Sequence, residues 1–178
     1  MYLRKLIEKD ATLMLQWMHD ENVVAKLAAD FRNMNIDDCR RFISNANLDD
    51  KQYIHRAICT DDDTYLGTIS LKNICYKNKN AEYAVVLSGK AMGTGAAMFA
   101  NFEILKIAFV ELGLHKVYLC VKGTNIRARR FYDKIGFRQE GVFLQHITEK
   151  DGSYDDLIWL AMSENEYRNI VANKMGRA

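Results

Sequence analysis

The chain contains no proline. Slow X–Pro isomerisation is therefore excluded as a folding step. Cysteine is sparse: Cys39, Cys59, Cys75 and Cys120 are scattered and form no C-x-x-C pair. The four histidines, His19, His55, His115 and His146, show no ligand spacing. Both patterns argue against structural zinc and for buried free thiols in a reducing compartment. No stretch approaches the ~18 consecutive apolar residues of a membrane span. The start, Met1-Tyr2-Leu3-Arg4-Lys5, lacks the apolar region of a secretory leader. The expectation is a soluble, cytoplasmic protein. Strong charge of either sign is also missing. The net charge is +2, with Lys and Arg spread along the chain, which gives nucleic-acid binding no compositional support.

What remains is ordinary globular material: 178 residues, 49% of them apolar, enough for one domain with a proper core. No linker, repeat or low-complexity segment divides it, so residues 1–178 are expected to form a single domain. Leu3 to Ile7 reads as a first strand. Asp10 is placed to cap a helix carrying Leu13, Met14 and Trp17, and Asn22 to Ala29 continues or restarts it. Ile36 to Ala46 reads as a helix capped by Asn35, with Cys39, Phe42, Ile43 and Ala46 on one face. Strands are expected at Tyr53–Cys59, Tyr65–Ile74 and Glu82–Leu87, joined by polar turns. The last of these is almost continuously apolar and hence central.

A long helix from Gly93 to Leu112 is expected to stop at Gly113. A strand follows from His115 to Val121, then a helix from Asn125 to Ile135 ended by Gly136. Strands at Glu140–Thr148 and Tyr154–Met162 flank a Lys150-Asp151-Gly152-Ser153 turn. Ser163 and Glu166 have the spacing of a capping box, and the tail from Lys174 to Ala178 is expected to fray. The sum is an α/β (mixed α+β) chain: a sheet of about seven strands with four or five helices on its faces.

Tyr83-Ala84-Val85-Val86-Leu87, then Lys90-Ala91-Met92-Gly93-Thr94-Gly95-Ala96-Ala97, then a long helix, is a strand–glycine loop–helix junction. Backbone N–H groups and the positive end of the helix dipole meet there, which suits a phosphorylated ligand. Two familiar loops do not fit. Gly89-Lys90 is followed by Ala91 rather than Ser or Thr, and position 84 is Ala, so this is no P-loop. Gly93-Thr94-Gly95 opens a dinucleotide fingerprint, but Met98 stands where its third small residue belongs.

The same residues resemble the acyl-CoA loop of the GNAT acetyltransferase superfamily, [QR]-x-x-G-x-[GA]. Lys90 departs from that pattern: it keeps the cation without the planar fork. A second resemblance lies in Asn125-Ile126-Arg127-Ala128-Arg129-Arg130-Phe131-Tyr132-Asp133-Lys134-Ile135-Gly136-Phe137, followed by Glu140-Gly141, which is similar to the family segment N-x-x-A-x-x-x-Y-x-x-x-G-F. Leu15-Gln16-Trp17 and Gly152-Ser153-Tyr154-Asp155-Asp156 resemble the branch of ribosomal-protein N-terminal, polyamine and amino-sugar acetyltransferases.

That resemblance implies a mostly antiparallel sheet splayed between the fourth and fifth strands, and acetyl-CoA as co-substrate. It implies that backbone groups of Val85, Val86 and Leu87 hold the pantetheine arm. Lys90, Met92, Gly93, Thr94, Gly95, Ala96 and Ala97 would cradle the pyrophosphate, where glycine lets phosphate approach the backbone. Ala128 and Phe131 are further implied cofactor contacts. Tyr132 would be the general acid for the departing thiolate, since a phenol of pKa about 10 is protonated at neutral pH. Asn125 would touch the pantetheine or cap its helix. Glu82 is the candidate base, directly or through water, with His146 a weaker one and a bare water chain a third course. Arg129, Arg130 and Lys134 would neutralise a 3′-phosphate or form a solvated face. Phe31 and Arg32 would wall the acceptor site.

The acceptor implied is a small primary amine taking the acetyl group directly, no cysteine standing where an acyl-enzyme would need it. A polyamine would use Asp37, Asp38, Asp155 and Asp156, unless these are caps and turns. A sugar nucleotide would use Arg32, Arg40 or Arg41. A protein N-terminus is the alternative acceptor, and a non-catalytic acyl-CoA-binding module the alternative of another kind. A strand-edge homodimer suits the fold without being required by any sequence feature.

Overall fold

Asn35 starts its helix by a reciprocal exchange. Its side chain accepts from the backbone N–H groups of Asp37 (2.9 Å) and Asp38 (3.1 Å), while the Asp38 carboxylate accepts from the Asn35 N–H at 2.9 Å. Donors left over by helix geometry are thus satisfied locally, as the sequence predicts. The structure, a computed structural model, describes residues 1–31, 33–48 and 51–175. Its backbone falls into two compact units. One comprises residues 1–74 and 82–104, the other residues 75–81 and 105–178.

The first unit contains β1 (Tyr2–Arg4), α1 (Asp10–Met18), α2 (Glu21–Val24), α3 (Ile36–Ala46), β2 (Ile54–Cys59) and most of β3 (Tyr65–Cys75), β4 (Asn80–Leu87) and α4 (Ala96–Lys106). Its strands run in the order β1-β2-β3-β4. The pairs β1–β2 and β2–β3 are antiparallel, with Leu3 opposite Ile58 and His55 opposite Ser70. Met14, Trp17 and Met18 of α1 and Cys39 and Ile43 of α3 pack on Ala57, Cys59 and Tyr65. Burial of these apolar faces outweighs the weak intrinsic stability of such short helices. Gly67 is there for a close approach: a Cβ would lie 2.2 Å from the Val86 carbonyl oxygen and 2.9 Å from Leu87 Cα.

Several boundaries differ from the sequence reading: β1 ends at Arg4 rather than Ile7, α2 at Val24 rather than Ala29, and the strand expected from Glu140 starts at Arg138. Asp10 is the first residue of α1 rather than its cap. Its buried carboxylate accepts both terminal nitrogens of Arg4, at 2.7 and 2.8 Å, and the Ile7 N–H at 2.9 Å. The long helix starts at Ala96, not Gly93, because Gly93 and Gly95 both have φ of 89°.

The second unit holds the hairpin tip at 75–81, the end of α4, a π-turn (Ile107–Glu111), β5 (Lys116–Lys122), α5 (Ile126–Ile135), β6 (Arg138–Thr148), β7 (Tyr154–Ser163) and α6 (Glu164–Met175). β7 pairs antiparallel with β5 on one side and β6 on the other. Accordingly Leu157, Ile158, Leu160, Ala161 and Met162 are buried, whereas β6 is exposed along most of its length. Gly136 ends α5 at φ 99°, and a Cβ on it would lie 2.3 Å from Ile170 Cδ1 of α6. Ser163 and Glu166 form the predicted reciprocal cap of α6, the Ser163 N–H reaching Glu166 Oε2 at 2.8 Å. That helix continues to Met175, and the remaining tail lies outside the described residues. Among the described residues no helix is long and apolar enough to cross a membrane.

Candidate active site

In the first unit, β4 leads through a 3₁₀ turn (Gly89–Ala91) into the glycine loop. The Thr94 hydroxyl donates to the Ala91 carbonyl at 2.8 Å and pins the loop. The first α-helical bond of α4 runs from Phe99 N–H to the Gly95 carbonyl, at 3.0 Å. The N–H groups of Ala96, Ala97 and Met98 therefore precede any helical acceptor. Only a long contact, 3.4 Å from Ala96 N to Thr94 Oγ1, reaches the first of them. A Cβ on Gly95 would meet nothing within 4 Å, so this side of the loop is open. Gly93, Thr94 and Gly95 are exposed, as is Lys90, while Met92 and Val86 pack against the core cluster. The loop thus offers main-chain N–H groups that lack a helical acceptor, an arrangement suited to an anion.

Beside β4 lies a cavity of about 430 Å³. Ala84, Val85 and Val86 form one border. Met14, Trp17, Met18, Phe31, Met34 and Phe42 supply an apolar wall, and Asp38, Arg41, His55, Thr68, Ser70 and Lys72 supply the polar atoms. Phe31, expected to wall the acceptor site, is in this lining, and its ring meets the Trp17 indole edge-on at 5.3 Å. Its companion in that expectation, Arg32, lies outside the described residues. Cys39 also borders the cavity. Burial and the neighbouring Asp38 raise its thiol above the usual range, which makes a thiolate nucleophile scarce there.

Glu82 is half-buried on β4. Lys72 reaches one of its oxygens at 2.6 Å and the Asn73 amide the other at 2.9 Å. Strand alternation sets Glu82 on the face of Ala84 and Val86, both of which border the cavity. The sequence reading passed over His55. It alternates inward with Ala57 on β2, and that period of two was the available signal. Its Nδ1 lies 2.7 Å from Ser70 Oγ, and Phe42 meets its ring edge-on at 4.9 Å. Burial first, then the charges of Lys72 and Arg56, lower its pKa below 6.5, leaving a neutral imidazole at neutral pH.

In the second unit, Asn125 caps α5, its side chain accepting from the Ala128 N–H at 3.2 Å. Tyr132 sits buried on that helix between Phe131 (5.5 Å) and Phe137 (5.8 Å). Burial pushes its phenol well above the ordinary value, so it stays protonated. Arg129 donates to the Gly123 carbonyl at 3.1 Å and so braces the turn ahead of α5. Arg130 and Lys134 are exposed. His146 is exposed on β6 against Phe143.

Each of the four acids considered for a polyamine has partners within its own unit. Asp37 and Asp38 pair with Arg40 and Arg41 along α3. Asp155 accepts from the Thr124 hydroxyl at 2.6 Å and from the Asp156 N–H at 2.8 Å, and Asp156 accepts from the Gln145 N–H at 2.8 Å. Burial opposes ionisation of Asp155, but the Thr124 and Asp156 donors and the nearby Lys122 charge outweigh it and lower its pKa. Among the described residues no group of three or more His, Cys, Asp or Glu is arranged to hold a metal ion.

Residues 1–138 match the model of the acetyltransferase (GNAT) domain. A spermidine N(1)-acetyltransferase of Escherichia coli K12 is 30% identical over 131 residues, which cover 71% of this chain and 69% of that protein. One from Vibrio cholerae is 30% identical over 107 residues, covering 58% of this chain and only 60% of the relative's length. The crystal structure of a Vibrio cholerae spermidine N-acetyltransferase in complex with CoA and spermine superposes with a TM-score of 0.85. It covers 94% of this chain and 97% of that one at 22% identity.

Proposed function

The chain belongs to the GNAT acetyltransferase family, and from that premise we propose that it transfers the acetyl group of acetyl-CoA directly to a primary amine of a small metabolite. The observation that carries this reading is the glycine loop. Two residues at φ 89° turn β4 into α4, the N–H groups of Ala96, Ala97 and Met98 precede any helical acceptor, and the space beside Gly95 is open. The residues fit a pyrophosphate-bearing co-substrate. Met92, Gly93, Thr94, Gly95, Ala96 and Ala97 supply its cradle, and Lys90 adds a point charge. Val85, Val86 and Leu87 offer backbone groups to the pantetheine arm, an addition of strand-like ligand to a strand. Ala128 and Phe131 are assigned to the same co-substrate, and Asn125 fixes the start of the helix that carries them.

In the reaction the amine nitrogen attacks the thioester carbonyl, the C–S bond breaks, and the thiolate leaves with a proton. Tyr132 supplies that proton and is restored by the proton that the nitrogen sheds as the amide forms. The ammonium of the acceptor must first lose a proton, and Glu82 takes it through water. Support for this assignment is the shared face of Glu82 and the cavity-lining Ala84 and Val86, together with the Lys72 and Asn73 contacts that orient the carboxylate.

The acceptors named for the relatives make polyamines one class to assay, and amino sugars another. The experiment is release of free thiol from acetyl-CoA across a panel of primary amines, with melting temperature recorded with and without CoA. Turnover together with a CoA-dependent rise supports the proposal. A rise with no turnover on any amine leaves a binding module. Absence of both the rise and turnover refutes an acetyl-CoA site.

A further inference from the structure

The charges around the cavity of the first unit are already balanced, and this bears on which amine it accepts. Asp38 is the one carboxylate among the described residues that line it. One of its oxygens pairs with the Arg41 guanidinium and the other accepts the Asn35 N–H at 2.9 Å. The remaining basic groups of the lining are Lys72, held 2.6 Å from Glu82, and His55, neutral at pH 7 and bonded to Ser70. A polyamine would bring additional ammonium groups into a site where Arg41 and Lys72 already stand. Among the described residues no uncommitted carboxylate lines it to receive them. Burying an unpaired charge beside like charges is strongly unfavourable.

The rest of the wall favours the opposite kind of ligand. Met14, Met18, Trp17, Phe31 and Phe42 present thioether and aromatic surface. Methionine adapts to varied apolar shapes, and aromatic rings bind other rings by edge and face. The volume of about 430 Å³ is that of a small-molecule site. We propose that the acceptor is a monoamine: a single reacting amino group on an apolar or aromatic body, as in an arylalkylamine. The body fills this cavity and the amine lies at its β4 border, beside Ala84, Val85 and Val86. The assignment rests on the acetyl-transfer reading above and names the acceptor class for it.

The test uses the intact protein and acetyl-CoA, with 2-phenylethylamine, tryptamine and hexylamine compared with spermidine, spermine, glucosamine and a peptide bearing a free N-terminus. The melting temperature with acetyl-CoA is read on the same preparation. The expected result is an acetyl-CoA-dependent rise and a kcat/KM for 2-phenylethylamine at least about tenfold above that for spermidine, the scale on which apolar pockets discriminate. Spermidine, glucosamine or the peptide turning over equally well or better would overturn the monoamine assignment while leaving acetyl transfer intact. So would a rise in melting temperature with no turnover of the three apolar amines. Loss of both the rise and all turnover would defeat acetyl transfer, and this assignment with it. Phe42→Ala is expected to raise the KM for 2-phenylethylamine about tenfold with the KM for acetyl-CoA unchanged. An unchanged amine KM would remove the cavity as the site of its body. Should that variant not fold, the substrate panel on the unaltered protein still decides.

Discussion

Lys72 and Glu82 face one another across β3 and β4, ammonium to carboxylate, at 2.6 Å. Asn73, at φ 52° within β3, brings its amide to the second carboxylate oxygen. These two donors thus aim Glu82. Replacing Glu82 by Gln keeps the size and loses the base. The expected outcome is a fall in kcat of about 10²-fold with the KM for acetyl-CoA unchanged. Full turnover would take the proton-accepting role from Glu82.

Tyr132→Phe removes one oxygen and keeps a ring between Phe131 and Phe137. A fall in kcat of about 10²-fold is expected, with acetyl-CoA affinity and melting temperature near those of the parent. Steady-state kinetics with titration calorimetry would check both halves.

Gly95 and Gly67 need to be glycine for different reasons, and alanine should separate them. At Gly95 a Cβ meets nothing, so Gly95→Ala costs only the left-handed backbone, about 1–2 kcal/mol. The expected signature is weaker CoA binding and a modest drop in melting temperature. At Gly67 the Cβ would sit 2.2 Å from the Val86 carbonyl oxygen. Gly67→Ala must push β4 away, and denaturant titration should show a larger loss, about 3 kcal/mol or more.

His55 links stability to pH. Its native pKa lies below 6.5, through burial first and then Lys72 and Arg56. The unfolded chain therefore binds a proton more readily. The stability from keeping the imidazole neutral is full above pH 6.5 and is lost as pH falls from there towards the native value. Urea titrations between pH 7.5 and 5 should show the decline, flattened in His55→Gln.

Asp155 ties the turn between β5 and α5 to β7 through Thr124, and Lys122 beside it is almost fully buried and also paired with Glu149. Asp155→Ala leaves the Thr124 and Asp156 donors without this acceptor, and a loss of about 1–3 kcal/mol is expected. A melting temperature equal to that of the parent would show that the turn holds without it.

Local chemistry made much of the chain legible. Asn35 with Asp38, Ser163 with Glu166, Asn125 before α5 and Gly136 after it are short-range devices, and residues a few positions apart suffice to predict them. The glycine loop was legible for the same reason, although the helix start was set three residues early because positive φ at both glycines delays the first turn. Asp10 was misplaced as a cap because its partner, Arg4, belongs to another element. Asp155 read equally well as an acceptor-site acid or a turn residue, since no local pattern separates the two.

Sequence alone therefore determined the order of elements, their caps and the strand–loop–helix junction, because hydrogen bonds between near neighbours and the periods of helix and strand govern them. Tertiary structure decided which charges cancel. Asp155 turns to Thr124, Lys72 answers Glu82, and His55 is stripped of water among Phe42, Tyr53 and Ser70. The polarity of the cavity follows from those pairings. They depend on distance and burial, which are set only once distant segments pack together.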